Sequence, residues 1–118
     1  MKIDSGIISG YLKAFGGLDN LGDNERLVEL FRHGTLTVML YAPRGADNQS
    51  PHTRDEIYVI VRGTGRFRQG SGEAPFAPGD VLFVPAGEEH RFVEFSDDFA
   101  TWVFFYGPEG GEAEVYDG

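Results

Sequence analysis

A histidine and a glutamate stand at the start of a stretch that otherwise has the composition of a buried β-strand, PHTRDEIYVIVRG at residues 51–63. His52 and Glu56 carry side chains that bind divalent metals, and both can be ready to do so near neutral pH. In the alternative interpretation both belong to a solvated loop, with Glu56 paired to Arg54 or Arg91. The choice depends on whether another stretch supplies further ligands.

The spacing of His52 and Glu56 limits how they could share an ion. Pro51 just before them and the β-branched run just after them argue against a helix. Along a straight strand, four residues span about 13 Å, too far for two ligands that each lie about 2.1 Å from one ion. Residues 53–55 are therefore expected to turn the chain, so that the two side chains sit on adjacent strands.

A second stretch, GDVLFVPAGEEH at residues 79–90, supplies another histidine. Its composition predicts a turn at 78–80, a buried strand at 81–84 and a second turn at 85–87. That second turn delivers His90 to the start of the next strand, from where it could complete a site with the first pair.

Together the two stretches resemble the paired motifs of the cupin family. Glu56-(X)6-Gly63 matches the end of the first motif, and Gly79-(X)5-Pro85-Ala86-Gly87-(X)2-His90 matches the second motif up to its histidine. The resemblance covers roughly residues 43–107. It implies an all-β fold, a double-stranded β-helix or jelly-roll barrel with a metal inside, and it favours a homodimer.

The resemblance implies three metal ligands, His52, Glu56 and His90. The position of the first motif's first histidine falls on Ser50, a poor ligand, so that water or Gln49 could fill the place. Glu94 replaces the asparagine that ends the second motif. Two imidazoles and one carboxylate form a facial triad with open positions, which suits Fe, Mn, Zn or Ni without choosing among them.

Composition bounds the class of protein. A chain of 118 residues and 13.0 kDa predicts a single domain over 1–118, with a core at about 25–107 and a flexible tail at 108–118. A formal charge of −9 argues against nucleic-acid and membrane partners. The absence of cysteine excludes disulfides and thiolate sites. No long apolar run suggests a signal or membrane segment, so we expect a cytoplasmic protein.

The order of elements predicts strands from residue 25 onward, separated by glycine- and proline-rich connections, of which residues 70–80 form one. Before them, residues 5–15 predict a short helical or irregular segment. His33, at a hairpin-like turn, is expected to be a surface residue.

Strand alternation predicts what surrounds the site. Tyr58 and Ile60 should share the face of Glu56, whereas Ile57, Val59 and Val61 should face the other way. If the ligands point inward, the cavity lining also includes Phe92, Glu94 and some of Trp102, Phe104 and Tyr106. Glu94 and Tyr58 are then the candidate catalytic residues, with a rim glutamate paired to an arginine as the alternative for Glu94. The apolar outer face of 57–61 needs cover from the N-terminal segment or a second subunit.

These observations predict a metal-dependent enzyme that acts on a small organic molecule, with an oxygenase or isomerase as the expected class. A non-catalytic cupin that binds or senses a small molecule, or a protein with a vestigial site, is the alternative. Arginines near the motifs could bind a carboxylate substrate, or they could simply balance the acidic surface.

Overall fold

The computed structural model describes residues 26–113 of the chain. Within this range it contains eight β-strands and no helix. The strands are β1 Leu27–His33, β2 Leu36–Tyr41, β3 Asp55–Arg62, β4 Gly65–Gln69, β5 Gly72–Phe76, β6 Val81–Val84, β7 His90–Val93 and β8 Ala100–Tyr106. The helical segment expected within residues 5–15 lies outside the described residues, as do residues 114–118 of the expected tail. No helix in the range 26–113 is long and apolar enough to cross a membrane.

The strands form two antiparallel sheets that face each other. The larger sheet has the order β1-β2-β8-β3-β6, and the smaller has the order β5-β4-β7. Tyr58 and Ile60 of the larger sheet pack with Phe67 and Phe92 of the smaller one in a single buried cluster. The prediction of an all-β jelly-roll barrel is thereby confirmed, because two sheets with apolar inner faces enclose one core.

Strand β5 was not expected, since its residues were interpreted as a connection. Four of its five residues are exposed, and it lies at the edge of the smaller sheet, paired only with β4 within the described range. An exposed edge strand needs no apolar alternation and tolerates a residue such as Pro75, which cannot donate a hydrogen bond. The usual sequence signal for a strand is therefore missing from this stretch.

The register of the larger sheet decides which residues face the core. Glu56 lies opposite Phe105, and Tyr58 lies opposite Val103. Because opposite residues of an antiparallel pair project from the same face, Phe105 and Val103 point into the barrel. The expectation that some of Trp102, Phe104 and Tyr106 line the cavity is therefore wrong, because these residues lie opposite Val59, Ile57 and Asp55, on the other face. Trp102 packs instead against the separate cluster on the outer face, which contains Leu40 and Ala100.

Gly63, the glycine that ends the first matched motif, is required by a close approach of two chain segments. Its φ is +85°, and a Cβ atom added to it would lie 2.5 Å from the Cα atom of Phe99. Neither the backbone angle nor the contact suits any residue with a side chain. The crossing brings the end of β3 against the connection before β8, and it buries Phe99 in the core.

Candidate metal site

Glu56 is the centre of the candidate site. Its side chain is fully buried, and its Oε1 atom lies 3.0 Å from Nδ1 of His52 and 2.8 Å from Nε2 of His90. One ligand atom from each of the three residues lies within 4.8 Å of the others. Ligands in neighbouring positions around one ion, each bonded at about 2.1 Å, are separated by about 3 Å. The structure thus brings together the three residues that the sequence singled out.

His52 reaches this point from a loop. It precedes β3, and the chain bends at residues 53–54, as the spacing required. The expectation that His52 lies on an adjacent strand is not met, because it belongs to no strand. Its carbonyl oxygen accepts a hydrogen bond from the amide of Gly87 at 2.7 Å, which fixes the loop to the turn before β7. Its side chain is about one-third exposed, so it forms the outer wall of the site.

His90 reaches the site as the first residue of β7, and its side chain is completely buried. Its Nδ1 atom lies 3.0 Å from the carbonyl oxygen of Glu88, to which it donates because a carbonyl can only accept. In the neutral ring the other nitrogen, Nε2, then carries the lone pair and faces Glu56. This tautomer is the one that a metal at Nε2 requires.

Aromatic rings close the site on the side of the core. The ring of Phe105 lies edge-on to His52 with centroids 4.8 Å apart, and Phe67 lies 6.3 Å from His90. Such walls keep water from the ligands and strengthen the electrostatic interactions among them.

A chain of hydrogen bonds continues the site behind His90. The hydroxyl of Tyr58 lies 3.1 Å from Nε2 of His90 and donates to Oε1 of Gln49 at 3.3 Å. The Gln49 amide donates to Asp47 at 3.1 Å, and Asp47 is buried and also accepts from the hydroxyl of Tyr41 at 2.7 Å. Asp47 was not anticipated, because an aspartate in a polar loop carries no sequence signal of burial.

The titration of the cluster reflects its burial and its mutual contacts. Burial raises the pKa of Glu56, but hydrogen bonds and charge from His52 and His90 outweigh it and leave that pKa below its usual 4.5. Burial lowers the pKa of His90, but the bonds to Glu56 and Glu88 prevail and raise it above 6.5. Burial, followed by the charge of Glu56, raises the pKa of Tyr58 well above its usual range, so its phenol stays protonated.

The three residues fit a divalent cation. Among the residues the structure describes, Oε2 of Glu56 is the buried side-chain atom without a hydrogen-bond partner. In addition, a neutral His90 would direct its Nε2 lone pair at a carboxylate oxygen that is also an acceptor. A cation among these atoms would remove both unfavourable features, since it accepts all the lone pairs at once.

Of the other residues expected in or near the site, some lie where the sequence predicted and others do not. Glu94 is exposed, and with a φ of +50° it lies beyond the end of β7 at Val93, so the alternation that would have turned it inward has stopped. Its expected place in the cavity lining is therefore wrong. Ser50 is exposed as well, whereas Gln49 contacts Tyr58. His33 is exposed, as expected.

Neither arginine that was considered as a partner of Glu56 occupies that role. Arg54 donates to the carbonyl of Thr35 and to the hydroxyl of Thr37, and its guanidinium carbon lies 5.9 Å from the ring centroid of Phe105. Arg91 donates to the carbonyl oxygen of Gln49 at 3.5 Å. The side-chain partners of Glu56 are instead the two histidines.

A two-sheet barrel with two imidazoles and a carboxylate converging inside it defines a class of small jelly rolls with a candidate metal site, and comparison with known proteins agrees on the fold. Residues 37–106 match the family model described as the cupin domain. An uncharacterized protein of Streptomyces coelicolor is 36% identical, over a match that covers 70% of this chain and 80% of that protein. The chain therefore belongs to the cupin family.

Two further similarities extend the comparison. Acireductone dioxygenase 1 of Pectobacterium atrosepticum is 33% identical, over a match that covers 75% of this chain and 59% of that protein. This chain thus corresponds to less than two thirds of that enzyme's length. A cupin-2 domain protein of Shewanella frigidimarina has a similar fold, with a TM-score of 0.65 and 13% identity, covering 86% of this chain and 100% of that one.

The contacts of Glu56 predict how the stability of the metal-free protein depends on pH. A lowered Glu56 pKa gives stability that is present above pH 4.5 and is lost as pH falls through the folded-state pKa. A raised His90 pKa gives stability that is full below pH 6.5 and is lost as pH rises through the folded-state pKa. In chelator, the free energy of unfolding by urea should therefore be highest between these two values. It should fall by roughly 1.5–3 kcal/mol outside them, the usual contribution of a hydrogen bond between charged groups.

The matched variant is Glu56→Gln, in which both slopes should flatten. A profile that is unchanged by this substitution would show that the cluster does not control the pH dependence.

Proposed function

We propose that this protein is a divalent-metal-dependent cupin enzyme of the oxygenase or isomerase class, acting on a small organic molecule. One observation carries the proposal, the convergence of His52, Glu56 and His90 with a buried, unpartnered oxygen on the glutamate. A carboxylate oxygen without a partner is costly to bury, and the arrangement is best explained by a cation that binds there.

The residues have distinct roles in this proposal. His52, Glu56 and His90 would hold a cation of the Fe, Mn, Zn or Ni type, which would polarise an oxygen of the substrate and, if it is iron, add redox chemistry. Tyr58 would act beside the ligands as a hydrogen-bond donor, because its raised pKa keeps the phenol protonated and its hydroxyl lies 3.1 Å from Nε2 of His90. Phe105 would limit the access of water.

An oxygenase is favoured by the relative that is named acireductone dioxygenase, although fold and family leave the reaction open. A non-catalytic protein that binds or senses a small molecule is the second candidate. It is favoured by the exposed position of Glu94, which leaves the site without the extra carboxylate expected to serve as acid or base.

Removal of one ligand tests the metal site. Protein purified without chelator should contain about one divalent metal per chain. His90→Ala should lower metal affinity by more than about 100-fold, because loss of a residue that only hydrogen-bonds a ligand already lowers it by up to about 100-fold. The core of the barrel is supplied by other residues, so circular dichroism should still show a β-fold. His33→Ala is the matched control, because His33 is exposed, and it should keep its metal. Stoichiometric metal in folded His90→Ala would contradict the proposal.

Oxygen uptake separates the two candidate functions. Iron(II)-loaded protein should consume oxygen when supplied with an acireductone, and Glu56→Gln should reduce the rate at least about 100-fold through loss of a ligand. His33→Ala should retain the wild-type rate. A metal-loaded protein that consumes no oxygen with this substrate but binds it tightly in calorimetry would instead support the non-catalytic alternative.

We further propose that the protein is a homodimer joined through the outer face of the larger sheet. Val81 and Phe83 of the edge strand β6 are 66% and 49% exposed, and Phe83 lies opposite Ile57 in the sheet. Together with Val59 they form an apolar outer face, which a second copy would cover.

Light scattering after size-exclusion chromatography should give about twice 13.0 kDa for the wild-type protein. Val81→Asp combined with Phe83→Asp should shift the mass to that of the monomer at micromolar concentration, because buried unpaired charges oppose association. Ser71→Asp, at the exposed turn between β4 and β5, places the same charge on the other sheet and should leave the dimer intact. A monomeric wild type would show that this face is not a dimer interface.

A further inference from the structure

The weakest point of the candidate site is His52, because no strand holds it. Glu56 lies within β3 and His90 begins β7, so the ladder hydrogen bonds of both sheets fix their backbones. His52 belongs to a loop, and its side chain is partly exposed. A metal site needs its ligands held within about 0.5 Å of their positions, so other contacts must hold this loop.

Asp55 is placed to provide that support. It is the first residue of β3 and only 5% exposed. Its Oδ1 accepts the amide of Ala86 at 2.9 Å, and its Oδ2 accepts the amide of Glu112 at 2.8 Å. One carboxylate therefore joins β3, the turn at residues 85–87 and the segment after β8.

The two segments that Asp55 joins are the ones that hold the histidine loop. In the turn, the amide of Gly87 donates to the carbonyl of His52 at 2.7 Å. In the segment after β8, the amide of Gly110 donates to the carbonyl of Thr53 at 2.6 Å. Residues 107–112, which we call the C-terminal strap, thus lie across the loop, and Asp55 fastens the strap and the turn together.

The close packing at Gly111 supports this arrangement. Its φ is +91°, and a Cβ atom added there would lie 2.9 Å from Oδ1 of Asp55 and 3.2 Å from Cβ of Ala86. The strap lies close against the carboxylate, so a side chain at this position would push the strap away.

We propose that Asp55 and the C-terminal strap position His52 for metal binding, so that Asp55 is a positioning residue outside the ligand set. The inference rests on the proposed metal site. It assigns a function to a segment whose sequence, rich in glycine and acidic residues, has the composition of a loose tail.

The test uses Asp55→Asn, which keeps the shape of the side chain but replaces one acceptor oxygen by an NH2 group. One of the two backbone amides then faces a donor and loses its partner. Cobalt(II) affinity, measured by competition with a chelator, should fall about tenfold to 100-fold, and the visible spectrum should shift towards that of His52→Ala. Asp80→Asn is the matched control, since Asp80 accepts the amide of Ala77 at 2.8 Å in another turn and should leave cobalt binding unchanged.

A double-mutant cycle distinguishes positioning from general destabilisation. In the His52→Ala background, Asp55→Asn should cause no further loss of cobalt affinity, because its effect passes through His52. An equal loss in both backgrounds, or a wild-type affinity and spectrum in Asp55→Asn itself, would overturn the proposal. Gly111→Ala displaces the strap while Asp55 is intact, and it should weaken cobalt binding in the same way.

Hydrogen exchange in the metal-free protein provides a readout that does not depend on the metal. Asp55→Asn should speed exchange of the Gly87 and Gly110 amides at least tenfold, whereas Asp80→Asn should not. If the wild type binds no cobalt but these amides respond as expected, the proposed function fails and the support of His52 by Asp55 stands. Exchange that is unchanged in Asp55→Asn would overturn the positioning role.

Discussion

A carboxylate buried between two imidazoles is the interaction on which the rest of this structure depends. Glu56 has no exposed surface, and one of its oxygens contacts both His52 and His90. An isolated charge at this depth would be costly, so the partners must be brought to it from other parts of the chain. The loop before β3 and the turn before β7 meet at the start of β3, and they supply the two histidines that contact Glu56.

The barrel makes the interaction strong. Tyr58, Phe67 and Phe92 pack against one another behind the cluster, with ring centroids 4.8–5.9 Å apart. Aromatic packing of this kind lowers the local dielectric and fixes the orientation of His90. The same walls that supply the hydrophobic core therefore also act on the electrostatics of the site. Burial raises the pKa of Tyr58, whereas at Glu56 the hydrogen bonds and charge of the two histidines outweigh burial and lower the pKa.

Backbone groups carry much of the geometry. The amides of Gly87 and Gly110 hold the carbonyls of His52 and Thr53, and the two oxygens of Asp55 accept two further amides. Positive φ angles at Gly87 and Gly110 allow these turns to present their N–H groups inward. These glycines matter for the candidate site as well as for the fold, because a displaced amide would move the loop that carries His52.

The sequence by itself determined the all-β architecture, the inward face of β3 and the three residues that meet in the barrel. Alternation along β3 and the motif spacing around His90 are local signals, so they survive without knowledge of the partners. Tertiary structure alone decided that Phe105 and Val103, and not Trp102 and Phe104, face the site, because β8 is apolar on both faces and only its register with β3 selects one. It also decided that Glu94 leaves the strand with a positive φ and that Asp55 joins segments far apart in the chain. Long-range hydrogen bonds of this kind have no periodicity that a sequence could display.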